Sequence, residues 1–304
     1  MYDCVIIGAG PAGLTAAIYL RRAAKKVIVL EALNYGGQII NTLDIENYPV
    51  EEHISGFDFA TRIYEQAKKL GAEIKFERAV EIEDLKDHKI VKTNKGIYKA
   101  ETVIIATGSE NRKLGLEKEE DLVGLGISYC ATCDGAFYKD KTVAVVGGGN
   151  TALEDALYLT DIASKVYLIH RRDSFRAEEA TINLLKGKDN LEFVYNSNVT
   201  KLIGEDNLEK IEVTDNDGNT KEIELDGLFV AVGRIPETEN FAKLIETDKG
   251  GFIIAGEDCH TNIPGIFVAG DTRVKEVRQL VTATSDGAIS ATEAIKYMRN
   301  KGGI

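Results

Sequence analysis

The 304-residue sequence lacks any run of about 18 consecutive apolar residues, so no membrane-spanning helix is expected. Met1 to Gly10 carry neither a basic leader nor a cleavable apolar stretch, so no secretion signal is expected and the reading favours a cytoplasmic protein. Positive charge is in deficit: 37 Lys and Arg against 49 Asp and Glu leave a formal net charge of -12. Such a chain repels phosphate backbones, which argues against nucleic acid as a partner and means that any local basic cluster needs a local reason. Cysteine is scarce, with only Cys4, Cys130, Cys133 and Cys259 present. Too few for a structural disulfide framework, these thiols make a close pair read as redox or metal chemistry. Zinc partners are lacking as well. There is no second CxxC and no HxxxH, and His53, His88 and His260 are scattered, so no metal site is expected. What remains, 44% hydrophobic and 28% charged residues, is ordinary for a globular chain of about two domains.

Near the start, the apolar run Asp3-Cys4-Val5-Ile6-Ile7 leads into Gly8-Ala9-Gly10-Pro11-Ala12-Gly13 and then a helix-periodic stretch to about Ala24. A second apolar run, Val27 to Leu30, stops at Glu31. Strand, glycine turn, helix, strand and acidic residue form the complete dinucleotide-binding context. The first glycine permits the turn, the second lets a pyrophosphate approach the backbone, and the third allows close helix packing. Phosphates then sit against unpaired N–H groups at the helix start. Cys4 reads as a small core hydrophobe in this strand, and Cys259 with His260 as an ordinary loop pair.

The unit recurs. A shift of 139 residues places Gly8 on Gly147, Gly10 on Gly149, Gly13 on Ala152 and Glu31 on His170, with Asn150 and Thr151 opening the second helix. Two copies in one chain imply two dinucleotides. The copies differ where the ribose must lie. Glu31 accepts hydrogen bonds from ribose hydroxyls and repels an added 2′-phosphate, so the first site wants FAD or NAD. The second copy has His170-Arg171-Arg172 there, with Arg176 four residues on, and guanidinium forks match phosphate oxygens. NADPH is therefore expected in the second site, while His170 itself could stack or cap. Strands ending in glycine recur at Ala106-Thr107-Gly108, Gly233 and Gly270-Asp271, where a flat cofactor could approach the backbone.

Cys130-Ala131-Thr132-Cys133-Asp134 lies just before the second glycine turn. Its spacing permits a disulfide within a short turn and tunes one thiolate as a nucleophile. Asp134 reads as a proton donor for a leaving thiolate, or else as a turn former. A plain-ribose site, a 2′-phosphate site and a dithiol need an adapter between hydride and thiol chemistry, and flavin is that adapter. A relay from NADPH through FAD to Cys130 and Cys133 follows.

These motifs, together with Gly36-Gly37-Gln38 and Arg278-Gln279, closely resemble those of the low-molecular-weight bacterial thioredoxin reductases along the whole chain. The resemblance implies an α/β protein of two Rossmann-like domains, the second inserted in the first. It implies a discontinuous FAD domain, 1–115 with 247–304, an NADPH domain at 116–246, and a homodimer acting on thioredoxin. Cys130 would attack the thioredoxin disulfide, Cys133 would face the flavin and Asp134 would act as acid. FAD contacts would extend to Gly37, Gln38, Asn47, Ala106, Thr107, Gly108, Gly270, Asp271, Arg278 and Gln279, and NADPH contacts to Gly233. Proteins of this kind rotate the inserted domain, and hinges are expected near 113–119 and 246–250. Tyr35 departs from the proline usual before Gly36. A ferredoxin–NADP reductase-like protein would lack the dithiol, a ferredoxin-dependent relative would lack the arginine cluster, and a redox sensor would not turn over.

Overall fold

A computed structural model describes residues 1–85 and 87–301. The chain divides into two compact units, Met1–Glu110 with Ile235–Ile304, and Asn111–Arg234.

In the first unit, Tyr2–Ile7 is central to a seven-stranded sheet. Val27–Glu31 and then Glu73–Phe76 lie to one side and Ile97–Ile105 to the other, all parallel. Ile266–Val268 pairs in parallel with the end of Ile97–Ile105, while its beginning joins Ala79–Asp84 and Lys89–Thr93 in an antiparallel meander. A parallel sheet is covered on both faces, which explains strands that are apolar throughout rather than alternating. Cys4 and Ile6 face one apolar layer, and Val5 and Ile7 the other. Helices Pro11–Arg22 and Leu280–Lys301 fill the first layer with small residues, among them Ala16, Ala17, Ala291 and Ala294. The two helices approach so closely that a Cβ on Gly287 would lie 2.3 Å from the carbonyl oxygen of Ala12. Each fully buried Val, Leu or Ile in these layers contributes roughly 1.5–3 kcal/mol.

The second unit repeats the plan. Thr142–Gly147 is flanked by Lys165–Ile169 and Leu191–Val194 on one side and by Gly227–Ala231 and the short strand Ile127–Ser128 on the other, all parallel. Ser197–Ile203, Lys210–Asp215 and Thr220–Glu224 form a separate antiparallel sheet. The sequence repeat is therefore a repeat of architecture, two Rossmann-like α/β units. In each, the outermost parallel strand is taken out of chain order: Ile266–Val268 in the first and Ile127–Ser128 in the second.

The crossings between units fall at 110/111 and 234/235, whereas the sequence reading placed them at 115/116 and 246/247. Phe241 and Ile245 account for the second difference, because both are buried in an apolar layer of the first unit. Neither expected hinge segment contains a crossing. In 113–119, the amides of Leu114, Gly115 and Leu116 donate to the carboxylate of Glu119, which is 2% exposed. In 246–250, Asp248 closes a tight turn by accepting from the amides of Gly250 and Phe252.

Among the described residues, no helix is long and apolar enough to cross a membrane.

Candidate active site

The first glycine turn is shaped by close contact. Gly8 has φ +107°, and a Cβ there would lie 2.2 Å from the carbonyl oxygen of Ala106, so neither its conformation nor its surroundings admit a side chain. A Cβ on Gly13 would lie 2.0 Å from the oxygen of Gly8, which is the tight helix-to-turn packing expected of the third glycine. Gly10 differs. It caps the helix beginning at Pro11, and beyond its chain neighbours the nearest atom to the place of its Cβ is the Cα of Gly37 at 4.0 Å. Gly149 occupies the same position before Asn150–Thr160, with nothing within 4 Å. Protein packing does not demand glycine at these two places, whereas a phosphate lying against the helix amides does, so both turns fit a dinucleotide.

Glu31, Gly37, Ala106 and Gly270 meet the first turn, and the other candidate residues of this unit make their own contacts. Glu31 accepts from the amides of Ala9 at 2.8 Å and Leu33 at 2.9 Å, and each carboxylate oxygen keeps capacity for a further donor such as a ribose hydroxyl. Gly37 packs on Gly10, with Gln38 exposed in the same short 3-10 turn Gly37–Asn41. Asn47 donates to Gln279 at 3.2 Å across 232 residues of sequence. Thr107, between Ala106 and Gly108, donates to the carbonyl of Glu237 at 2.9 Å and meets the Thr272 hydroxyl at 3.1 Å. Gly270 lies against Ala12 of the glycine turn, and Asp271 follows in the 3-10 turn Gly270–Thr272. Arg278 stacks its guanidinium over Phe252, 4.4 Å from the ring centroid.

A buried network missed by sequence reasoning holds the Gly270 turn. Asp286, 2% exposed, accepts from Arg273 Nε at 2.9 Å and Nη2 at 3.0 Å, from Lys275 Nζ at 2.9 Å and from the amide of Gly270 at 3.0 Å. Burial pushes the Asp286 carboxyl up, but Arg273 and Lys275 more than offset it and hold it below the usual carboxylate range. Its contribution to stability is present above the unfolded value of about 3.9 and is lost as pH falls through the lower folded value. Removing the anion would leave buried Lys275 without its carboxylate partner and Arg273 with only the exposed carboxylate of Glu257, at 3.1 Å. Asp286→Ala is expected to destabilise the protein by about 3–5 kcal/mol, read from denaturant midpoints. A midpoint equal to that of the unaltered protein would count against this role.

In the second unit, His170 is buried and turned inward. A Cβ on Gly148 would lie 2.0 Å from its ring, and its Nε2 bonds the carbonyl of Ser174 at 3.1 Å. Burial, followed by the charges of Arg171 and Arg172, keeps the imidazole below its ordinary pKa, so it braces the turn as a neutral group. The arginine loop is tied to the same turn, since the amide of Arg176 donates to Gly148 at 2.7 Å. The side chains of Arg171, Arg172 and Arg176 are exposed. Asn150 accepts from the amide of Glu178 at 3.0 Å, Thr151 is exposed beside it, and the carbonyl of Gly233 accepts from Arg112 at 2.9 Å.

Cys130 and Cys133 form a disulfide with Cα atoms 5.3 Å apart. The amides of Cys133 and Asp134 both donate to the carbonyl of Cys130, at 3.2 and 3.1 Å, closing the one-turn helix Ala131–Asp134. Cys133 is exposed and Cys130 half-buried. The pair follows strand Ile127–Ser128 at the carboxyl edge of its sheet, the counterpart of the Gly270 turn after Ile266–Val268 in the first unit. Ligands of open α/β sheets bind along that edge. Two neighbours fix the segment. Tyr129 donates to Glu119 at 2.8 Å, its phenol raised by burial and then by that carboxylate. Ser128 lies 2.6 Å from Asp134 Oδ2 and accepts from the amide of Cys130 at 3.0 Å. Burial pushes the Asp134 carboxyl up, opposed by Ser128.

The other two cysteines belong to the first unit. Cys4 and Cys259 are free and buried, and burial pushes both up to about 12. Among the described residues, the group close enough to share a metal ion is Asp44, Glu46 and His53, which includes neither cysteine.

Two dinucleotide cradles and an accessible disulfide at a sheet edge define an oxidoreductase that works between nucleotide and thiol chemistry. The chain belongs to the pyridine nucleotide-disulphide oxidoreductase family, whose pattern it matches over residues 2–287. Membership implies the use of a flavin and a pyridine nucleotide. It is 43% identical over 302 residues to a thioredoxin reductase of Listeria monocytogenes, covering 98% of this chain and 94% of that one. It is 44% identical over 301 residues to a thioredoxin reductase of Bacillus subtilis, covering 98% and 95%. The solved thioredoxin reductase of Streptococcus pyogenes is 42% identical and superposes with a TM-score of 0.94 over 99% of both chains.

Proposed function

We propose that this chain is an NADPH-dependent thioredoxin-disulfide reductase with FAD as its flavin. The Cys130–Cys133 disulfide, placed at a sheet edge in a chain with two differently charged nucleotide cradles, carries the reading. In this reading the first unit binds FAD: Gly8, Gly10 and Gly13, with Pro11 and Ala12 at the helix start, take the pyrophosphate and Glu31 the ribose. Gly37, Gln38, Asn47, Gln279, Ala106–Gly108 and Gly270–Asp271 surround the rest, while Arg278 supports the last turn. The second unit binds NADPH through Gly147, Gly149, Asn150 and Thr151. Arg171, Arg172 and Arg176 hold the 2′-phosphate, His170 braces the turn beneath it, and Gly233 leaves open backbone at the neighbouring strand end.

Bound flavin supplies the conversion of a nicotinamide hydride into two electrons for sulfur. The protein's own residues perform the remaining exchange. In the reduced pair, the Cys130 thiolate, on the likeness already drawn, attacks one sulfur of the thioredoxin disulfide. A mixed disulfide forms and one thioredoxin thiolate leaves. Cys133 then attacks Cys130, restoring their disulfide and releasing the second thiolate, so the pair gives up two electrons. Asp134 supplies a proton to a departing thiolate. Thioredoxin, at about -270 mV, suits such exchange. A cytoplasmic location and a homodimer complete the proposal, the former supported by the scarcity of cysteine.

The test is NADPH oxidation by the purified protein with and without oxidised thioredoxin. Sustained consumption only with thioredoxin is expected. A single stoichiometric reaction that then stops would indicate a sensor and overturn the assignment.

A further inference from the structure

Ser128 is buried at 3% exposure at the end of the strand leading to the disulfide, and its hydroxyl faces more partners than it can serve. Its one proton has two acceptors within reach, Asp134 Oδ2 at 2.6 Å and the carbonyl of Cys130 at 3.3 Å. The shorter, charge-assisted bond to the carboxylate prevails. A lone pair of the same oxygen accepts from the Cys130 amide at 3.0 Å. The amide, hydroxyl and carboxylate form a chain in which each bond polarises the next. We infer that Ser128 is a positioning residue for proton transfer: it clamps Asp134 through Oδ2 to the amide of Cys130 and so leaves Oδ1 to carry the exchangeable proton.

The inference rests on Asp134 acting as the acid in the proposed exchange. The acid gives its proton from Oδ1 to a leaving thiolate, which becomes a thiol while Asp134 becomes a carboxylate. Ser128 already donates to Oδ2, so the new charge is met without rearrangement. Burial favours the neutral acid and the Ser128 bond favours the carboxylate, an opposition that keeps the group able to change state in both directions. Other titratable groups lie near. Tyr138, on the segment after Asp134, is pushed up to about 12 by burial and then by Asp134 and Asp226. Helix Asn150–Thr160 packs Tyr158 against Gly135, and it also carries Asp155, raised to about 7 by burial and then by Glu154.

The test is a single-turnover reaction of the chemically reduced holoprotein with oxidised thioredoxin, followed between about pH 5 and 9. The rate requires protonated Asp134, so it falls as pH rises through that group's pKa. Ser128→Ala removes a donor to the charged form and is expected to move this limb upward by about one pH unit. Asp134→Asn is expected to abolish the limb. A limb that survives Asp134→Asn belongs to another group, Asp155 among them, and overturns the reading of Asp134 as acid. A limb absent in Asp134→Asn but unmoved in Ser128→Ala, with rates lowered equally at every pH, overturns the role of Ser128.

Discussion

Cys130→Ser and Cys133→Ser each lower thioredoxin reduction by at least about a thousandfold while the protein stays yellow. Serine preserves the size of the side chain but supplies neither a thiolate near neutral pH nor a disulfide partner, so neither variant can hold two electrons as a dithiol. The segment survives the change because its one-turn helix is closed by backbone bonds to the carbonyl of Cys130 and flanked by Ser128 and Tyr129, not by sulfur alone. The cofactor survives because residues of the first unit surround it in this reading, and both cysteines lie in the second. The check is steady-state NADPH oxidation with thioredoxin beside the visible spectrum of each variant. Substantial turnover in either would show that electrons bypass the pair.

Neutralising Arg171, Arg172 and Arg176 together raises the Michaelis constant for NADPH about 100-fold and leaves that for NADH nearly unchanged. The three side chains are exposed, so each phosphate contact is screened and weighs only about 1 kcal/mol. A combined loss of about 3 kcal/mol corresponds to about two powers of ten in affinity. NADH lacks the 2′-phosphate and loses none of it. The loop itself holds its place, because the amide of Arg176 and the inward ring of His170 tie it to the glycine turn through groups the substitutions leave intact. Parallel kinetics with both nucleotides provide the measurement. Equal effects on the two would remove the 2′-phosphate from the account.

Both glycine turns were legible in the sequence because everything they need is local: a strand, a helix and a second strand within some thirty residues. The first unit's fifth strand, Ile266–Val268, was legible from the glycine at its end, but the second unit's was not. Ile127–Ser128 is too short to carry an alternating pattern, and it exists only because Gly227–Ala231 pairs with it from far along the chain. With it went the knowledge that Cys130 sits at a carboxyl edge. The crossing at 234/235 was hidden for a similar reason, since nothing local tells that Phe241 and Ile245 belong to the first unit's core. The charge and glycine of 113–119 suggested flexibility, yet Glu119 pins that stretch from within. Charge content does not reveal whether a carboxylate faces water or backbone amides.

Candidate site residues divide along the same line. The arginine cluster could be read from its position at a strand end, but the inward turn of His170 depends on the absent side chain of Gly148. The link from Asp286 to Arg273, Lys275 and Gly270 crosses from a helix to a turn, and only an isolated acid among small residues hinted at it. Ser128 lies six residues from Asp134, close enough in sequence, but the choice of a hydroxyl's partner is made by the backbone turn between them.

The most direct test of the relay is an anaerobic addition of NADPH to the purified, oxidised protein, with absorbance recorded and thiols counted after quenching. Loss of the yellow colour and the appearance of two new thiols per chain, mapped to Cys130 and Cys133, are expected. Loss of colour with the Cys130–Cys133 disulfide still intact would contradict it.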